Sequence, residues 1–103
     1  MNNDKLLSFL GLCRRAGKMT IGNDAAVEAI INNEACLILL VSDISPRTEK
    51  SVTEAAQANN VKVIKLSYSK DQVSNSLGKL TAVISVNDEG FAKKIIQLTT
   101  ANE

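Results

Sequence analysis

The sequence predicts an α/β protein, built as a three-layer α/β/α sandwich. Segments with helical spacing of apolar residues alternate four times with short apolar strands across short connections. One strand, Leu37-Ile38-Leu39-Leu40-Val41, is apolar at every position, which suits the centre of a sheet covered by helices on both faces. Of the 103 residues, 45% are hydrophobic and 22% charged, as in one globular domain with a single core. That domain is expected to span residues 1–103, with its core between about residues 4 and 98, and to expose roughly 5,700 Å² of surface.

The first helix is expected over Asp4–Ala16. Leu6, Leu7, Phe9, Leu10 and Cys13 recur there at three- and four-residue spacing. Arg14 and Arg15 fall in the last turn, where cations suit the helix dipole, and Gly17 closes it. Met19-Thr20-Ile21 reads as a short strand. The second helix runs from Asn23 to Asn32, with Ala26, Val27, Ile30 and Ile31 inside and Asn23 or Asp24 as the cap. After the central strand, Ser45-Pro46 opens the third helix with a hydroxyl cap and a first-turn proline.

Val52, Ala55, Ala56 and Asn59 mark the inward face of that helix, and Asn59-Asn60 ends it. Val61–Leu66 is the next strand. Ser69-Lys70-Asp71-Gln72 is a capping box for a short fourth helix closed by Gly78. Thr81–Val86 forms the last strand. Asn87-Asp88 then starts a fifth helix with Phe91, Ile95 and Leu98 inward, and Thr99–Glu103 is expected to fray.

Composition removes several classes of function. The chain has no histidine and two cysteines, which sets aside histidine-based triads and most protein-only zinc sites. Cys13 and Cys36 both lie in apolar surroundings and are expected to be reduced and buried. Glycines at positions 11, 17, 22, 78 and 90 form no dinucleotide or phosphate loop, and the acids lack metal-ligand spacing. Phe9, Tyr68 and Phe91 are too few for an aromatic stacking platform. The expectation is a non-enzyme with no cofactor and no metal.

The polar start Met1-Asn2-Asn3-Asp4 is unlike a secretory signal, and Leu37–Val41 is far too short to cross a bilayer. A cytoplasmic protein without a membrane partner is expected. Twelve cations against eleven acids leave a net charge of +1, so a polyanion would have to be met by local charge placement.

Four segments have residues suited to an anion. Arg14, Arg15, Gly17 and Lys18 place three cations and a flexible residue at a helix end; this suits a phosphate backbone, and also an ordinary solvated terminus. Gly22-Asn23-Asp24 opens the second helix, where free N–H groups attract anions. Asp24 and Glu28 oppose this by adding negative charge within about one turn. Asp43-Ile44-Ser45-Pro46-Arg47 leads into the third helix, with Arg47 and Lys50 where the dipole disfavours cations; binding would explain that placement, and so would chance. Gly78-Lys79-Leu80-Thr81 offers a flexible backbone, one cation and an exposed leucine, a loop able to lie against a splayed nucleotide.

Laid out in this way, the chain resembles the ribosomal protein L7Ae/L30e family, and more closely its small bacterial YlxQ-like branch, from about Leu7 to Ile96. Three stretches carry the resemblance: Leu10-Gly11-Leu12-Cys13-Arg14-Arg15-Ala16-Gly17-Lys18, the strand Leu37–Val41 with Ser42-Asp43, and Asp88-Glu89-Gly90-Phe91-Ala92-Lys93-Lys94-Ile95. It implies an L30e-like α/β/α sandwich around a four-stranded mixed sheet. It also implies binding, without catalysis or cofactor, to kink-turns or related internal loops of structured RNA. The family's contacts come from the amino end of the second helix, the loop before the third helix and the loop before the last strand.

By position, the family's Gly-x-Asn-Glu-x-x-Lys signature falls on Gly22 to Glu28, and only the glycine is kept. Asp24 replaces an asparagine that both donates and accepts hydrogen bonds, whereas ionised aspartate only accepts. Ala25 replaces a base-reading glutamate, and Glu28 reverses the charge of a lysine. Asp43 and Pro46 match the turn before the third helix, and Gly78 matches the glycine ending the next element.

The resulting expectation is a monomeric protein that binds structured RNA at an internal loop, bulge or kink-turn-like element, associated with ribosomal RNA. Arg14, Arg15, Lys18, Arg47, Lys50 and Lys79 would form a basic rim, with Leu80 against an unstacked base. The alternative is a small protein-interaction module that meets a ribosomal or translation-factor protein instead of RNA.

Overall fold

A computed structural model describes the backbone of residues 3–101 and the side chains of residues 5–100. Five helices, α1 (Asn3–Arg15), α2 (Asn23–Ile31), α3 (Pro46–Ala58), α4 (Lys70–Leu77) and α5 (Glu89–Ala101), alternate with four strands. The strands are β1 (Met19–Ile21), β2 (Leu37–Leu40), β3 (Lys62–Lys65) and β4 (Val83–Val86). They form one mixed sheet in the order β1-β4-β2-β3. The β2–β3 pair is parallel, and β4 runs antiparallel to both of its neighbours.

Apolar patterning explains the layering. Every residue of β2 and β4 is buried, so both faces of the sheet centre need helices. One layer is α2 packed on α3; the other is α1 packed on both α4 and α5. Leu10, Ile30, Leu39, Ile84 and Ile95 are among the fully buried side chains that join the layers, each contributing about 1.5–3 kcal/mol. The accessible surface of 5934 Å² is close to what size scaling gives for one domain.

Four helices end on a residue in the left-handed region: Gly17 (φ 74°), Asn33 (φ 62°), Asn60 (φ 59°) and Gly78 (φ 76°). Gly17 and Gly78 serve as the sequence predicts.

Other boundaries differ from expectation for identifiable reasons. Asn59 is exposed, and its side-chain amide donates to the Ala55 carbonyl at 2.9 Å, so it finishes its own helix without facing the core. Thr81 and Ala82 precede β4. The Thr81 N–H donates to the Ser74 hydroxyl at 3.2 Å, and the Thr81 hydroxyl donates to the Val83 carbonyl at 2.9 Å. Instead of fraying at Thr99, α5 continues to Ala101; the Thr99 and Thr100 hydroxyls donate to the Ile96 carbonyl at 2.8 and 2.9 Å. Asn102 and Glu103 lie outside the described residues.

Phe91 is half-buried because it packs beside Phe9, with ring centroids 5.1 Å apart, tying α5 to α1. Cys13 is buried and Cys36 half-buried, both as free thiols. Among the described residues, no helix is long and apolar enough to cross a membrane.

Candidate functional site

Three of the four candidate segments meet because of the sheet's topology. Strands β1 and β2 each run into a helix at the same edge, and the antiparallel β4 begins there. Ile21 pairs with Ile84, and Leu40 with Val83. The Gly22 N–H donates to the Val83 carbonyl at 3.0 Å, and the Val41 N–H to the Ala82 carbonyl at 3.1 Å. The amino end of α2, the turn leading to α3 and the 78–82 loop are therefore side by side.

At the amino end of α2, Gly22 occupies the cap position with φ 115° and ψ 154°, and no side chain caps the helix. That backbone region is essentially open to glycine alone. Asn23 and Asp24 fall inside the helix, so neither is the expected cap; an uncapped start leaves first-turn N–H groups for solvent or a ligand. Asn23, Asp24, Ala25 and Glu28 are all exposed. Glycine lets an anion approach closely, while Asp24 and Glu28 oppose negative charge at the same end.

The neighbouring helix starts are closed. Ser45 accepts from the Thr48 N–H at 3.3 Å, ahead of Pro46 in the first turn of α3. Arg47 and Lys50 extend into solvent from this helix. At α4, Gln72 N–H donates to the Ser69 hydroxyl at 3.2 Å and the Gln72 side chain accepts from the Ser69 N–H at 2.8 Å. The Asp43 carboxylate also belongs to α4, accepting from the Lys70 N–H at 2.8 Å.

Arg14 has a structural partner that nothing local in the sequence announces. Its guanidinium donates to the Leu77 carbonyl in the last turn of α4, immediately before Gly78. The end of α1 is thereby fastened to the loop carrying Lys79 and Leu80. Both are exposed, Leu80 to 71%. Arg15 folds back along α1, where its guanidinium lies 3.5 Å from the position a Cβ on Gly11 would take.

Lys18 follows the end of α1, its N–H donating to the Cys13 carbonyl at 3.1 Å. Its carbonyl accepts from the Asn87 N–H at 2.8 Å, past the far end of β4. The extended chain between Lys18 and Gly22 spans about 13 Å. Along the backbone the six cations divide: Arg14 and Lys79 adjoin the 78–82 loop, Arg47 and Lys50 stand in the opening turns of α3, Arg15 lies along α1, and Lys18 precedes β1.

The site offers N–H dipoles, cations and one exposed leucine. Burial, and secondarily Asp88, pushes the Cys13 thiol up to about 11. Burial, Glu89 and Asp88 raise that of Cys36 as well. Both thiols are neutral at neutral pH, without the lowered pKa of a reactive cysteine. Among the described residues, no group of three or more His, Cys, Asp and Glu could hold a metal. The arrangement suits non-covalent recognition of an anionic backbone.

The chain matches the ribosomal protein L7Ae/L30e/S12e/Gadd45 family over residues 4–96. It is 31% identical over 97 residues to the RNA-binding protein YlxQ of Enterococcus faecium, covering 94% of this chain and 93% of that protein. Identity to the RNA-binding protein YlxQ of Bacillus subtilis (strain 168) is 36% over 99 residues, covering 95% and 98%. A solved structure of a protein with unknown function from Bacillus halodurans C has a TM-score of 0.88 at 30% identity, with coverage of 93% and 97%. The Giardia lamblia 15.5kD RNA binding protein shares the fold, with a TM-score of 0.78 at 14% identity and coverage of 97% and 86%. The chain belongs to the ribosomal protein L7Ae/L30e/S12e/Gadd45 family, in its bacterial YlxQ branch.

Proposed function

We propose that this chain is a non-catalytic, cytoplasmic, monomeric protein that binds structured RNA, with ribosomal RNA as its target. The observation that carries this reading is the uncapped amino end of α2, where Gly22 lies beside the loop bearing Lys79 and Leu80. The chain's similarity to the two RNA-binding YlxQ proteins supports it. An internal loop or bulge enters between the two elements. Backbone phosphates face the first-turn N–H groups that follow Gly22, whose own N–H is bonded to Val83; Arg14 and Lys79 supply positive charge. Leu80 rests against an unstacked base. Shape and phosphate contacts dominate, because an RNA helix hides most base edges in its deep major groove.

Glu28 argues against the full kink-turn contact of other family members, since a carboxylate repels a phosphate placed beside it. The same exposed acids, Asp24 and Glu28, favour a second reading: a module whose α2 face takes a basic segment of a ribosomal or translation-factor protein.

A binding titration separates these readings. The purified chain is tested against a kink-turn RNA, a plain duplex of equal length and a ribosomal RNA fragment library, each at two salt concentrations. The proposal expects sub-micromolar binding selective for the kink-turn or for particular fragments. Weak binding to all three, collapsing with salt as a non-specific contact does, would refute it and leave the protein-docking reading.

A further inference from the structure

The two helical layers carry opposite charge. Helices α1, α4 and α5 bear Lys5, Arg14, Arg15, Lys70, Lys93 and Lys94 against Asp4, Asp71 and Glu89. Helices α2 and α3 bear Asp24, Glu28, Glu49 and Glu54 against Arg47 and Lys50. The net charge of +1 conceals this separation. Among the described residues, the one ion pair joins Lys65 to Glu49, and Lys5, Arg15, Lys93 and Lys94 have no carboxylate partner there.

These cations lie on two helices that pack against each other, α1 and α5. Lys5, Ser8, Leu12 and Arg15 follow helical spacing along one face of α1, and with Phe9 they line a shallow open groove of about 440 Å³. Leu12 is 47% exposed there. The Phe9–Phe91 contact places α5 against this helix, and Lys93 and Lys94 are exposed on α5. At its other end α1 reaches the candidate site, through the contact between Arg14 and the Leu77 carbonyl.

We propose that the outer face of α1, together with Lys93 and Lys94 of α5, is a second RNA-contact surface. It holds the phosphate backbone of the helix that continues from the element bound at the α2 edge; this inference rests on the RNA-binding reading above. The acidic α2–α3 layer repels the same backbone, so the flanking helix has one favourable direction in which to leave the site. Charge thus supplies an orientation that the substituted α2 signature cannot.

The test uses the full chain and the tightest-binding RNA of the titration above, made once with its flanking helix at full length and once trimmed to the loop. Lys5→Glu, Lys93→Glu and Lys94→Glu are combined in one variant, with a Lys5→Gln, Lys93→Gln, Lys94→Gln variant as its milder counterpart. Each lost phosphate contact reduces the slope of log affinity against log salt by about 0.9. The expected result is at least tenfold weaker binding of the long RNA by the glutamate variant and a slope shallower by about 2–3. The glutamine variant should fall between it and the unmodified chain, and the trimmed RNA should bind all three alike.

Unchanged affinity and slope on the long RNA would overturn the second surface while leaving the RNA-binding reading intact. Equal weakening on both RNAs would overturn it too, by showing a general field effect. If the unmodified chain prefers no RNA over the plain duplex, the functional reading itself fails and this inference falls with it.

Discussion

The amino ends of α2 and α4 lie in the same small domain and solve the same problem in opposite ways. At α4, Ser69, Gln72 and Asp43 satisfy the first N–H groups from within the protein. At α2 the cap is a glycine, and no side chain reaches back. Glycine in place of a Ser, Thr, Asn or Asp cap costs only about a few tenths of a kcal/mol, so leaving this helix start open has a small stability cost. The open start is also the one that topology sets beside the 78–82 loop, whose Leu80 is exposed to 71%. A closed helix start finishes the fold, whereas an open one is available for a ligand.

Substitution at Gly22 should have the largest effect. Gly22→Val forces a side chain into φ 115°, which costs about 1–3 kcal/mol, and it crowds the anion's approach. Chemical denaturation should show the stability loss, and RNA affinity should fall further than that loss explains.

Glu28→Lys should sharpen the contrast by removing repulsion at the open end. Affinity for structured RNA should rise about tenfold, equivalent to about 1.4 kcal/mol, with a steeper salt slope. An unchanged affinity would mean that no phosphate passes near this residue. Ser69→Ala should lower stability by about 1 kcal/mol and leave RNA affinity alone. A comparable loss of affinity would show that α4 takes part in binding.

The smallest expected effect concerns the cysteines, which report whether such variants keep the fold. An uncharged disulfide reagent should label half-buried Cys36 before buried Cys13, in the unmodified chain and in every variant that alters only a helix end. Cys13 also predicts a pH dependence. Its pKa is raised from 9.0 to about 11 by burial and Asp88, so the unfolded chain loses that proton first. The contribution is fully present below pH 9.0 and is lost as the pH rises toward about 11. Cys13→Ser, which removes that titration, should flatten the alkaline decline in stability measured by denaturation.

Much of this architecture could be read locally. The all-apolar run at Leu37–Val41 marks a central strand, Ser45-Pro46 a helix start, Ser69 with Gln72 a capping box, and Gly17 and Gly78 helix ends. Each depends on residues within a few positions of one another. The features that could not be read are long-range or depend on competition between neighbours. Arg14 meets Leu77 across 63 positions, and Asp43 caps a helix 27 positions away. Asn23 and Asp24 are suitable caps by composition, yet Gly22 holds that position because β1 delivers the chain there with its N–H bonded to Val83. Lys18 stays at the end of α1, its N–H donating to the Cys13 carbonyl, and β1 then separates it from the α2 edge.

The most direct test is an amide chemical-shift titration of the labelled full chain with the tightest-binding RNA. The largest shifts are expected at Gly22–Ala25 and Gly78–Leu80, with Lys70–Gln72 at the capped start of α4 left in place. Shifts of equal size at both helix starts, or confined to residues remote from Gly22, would refute recognition at the open helix start.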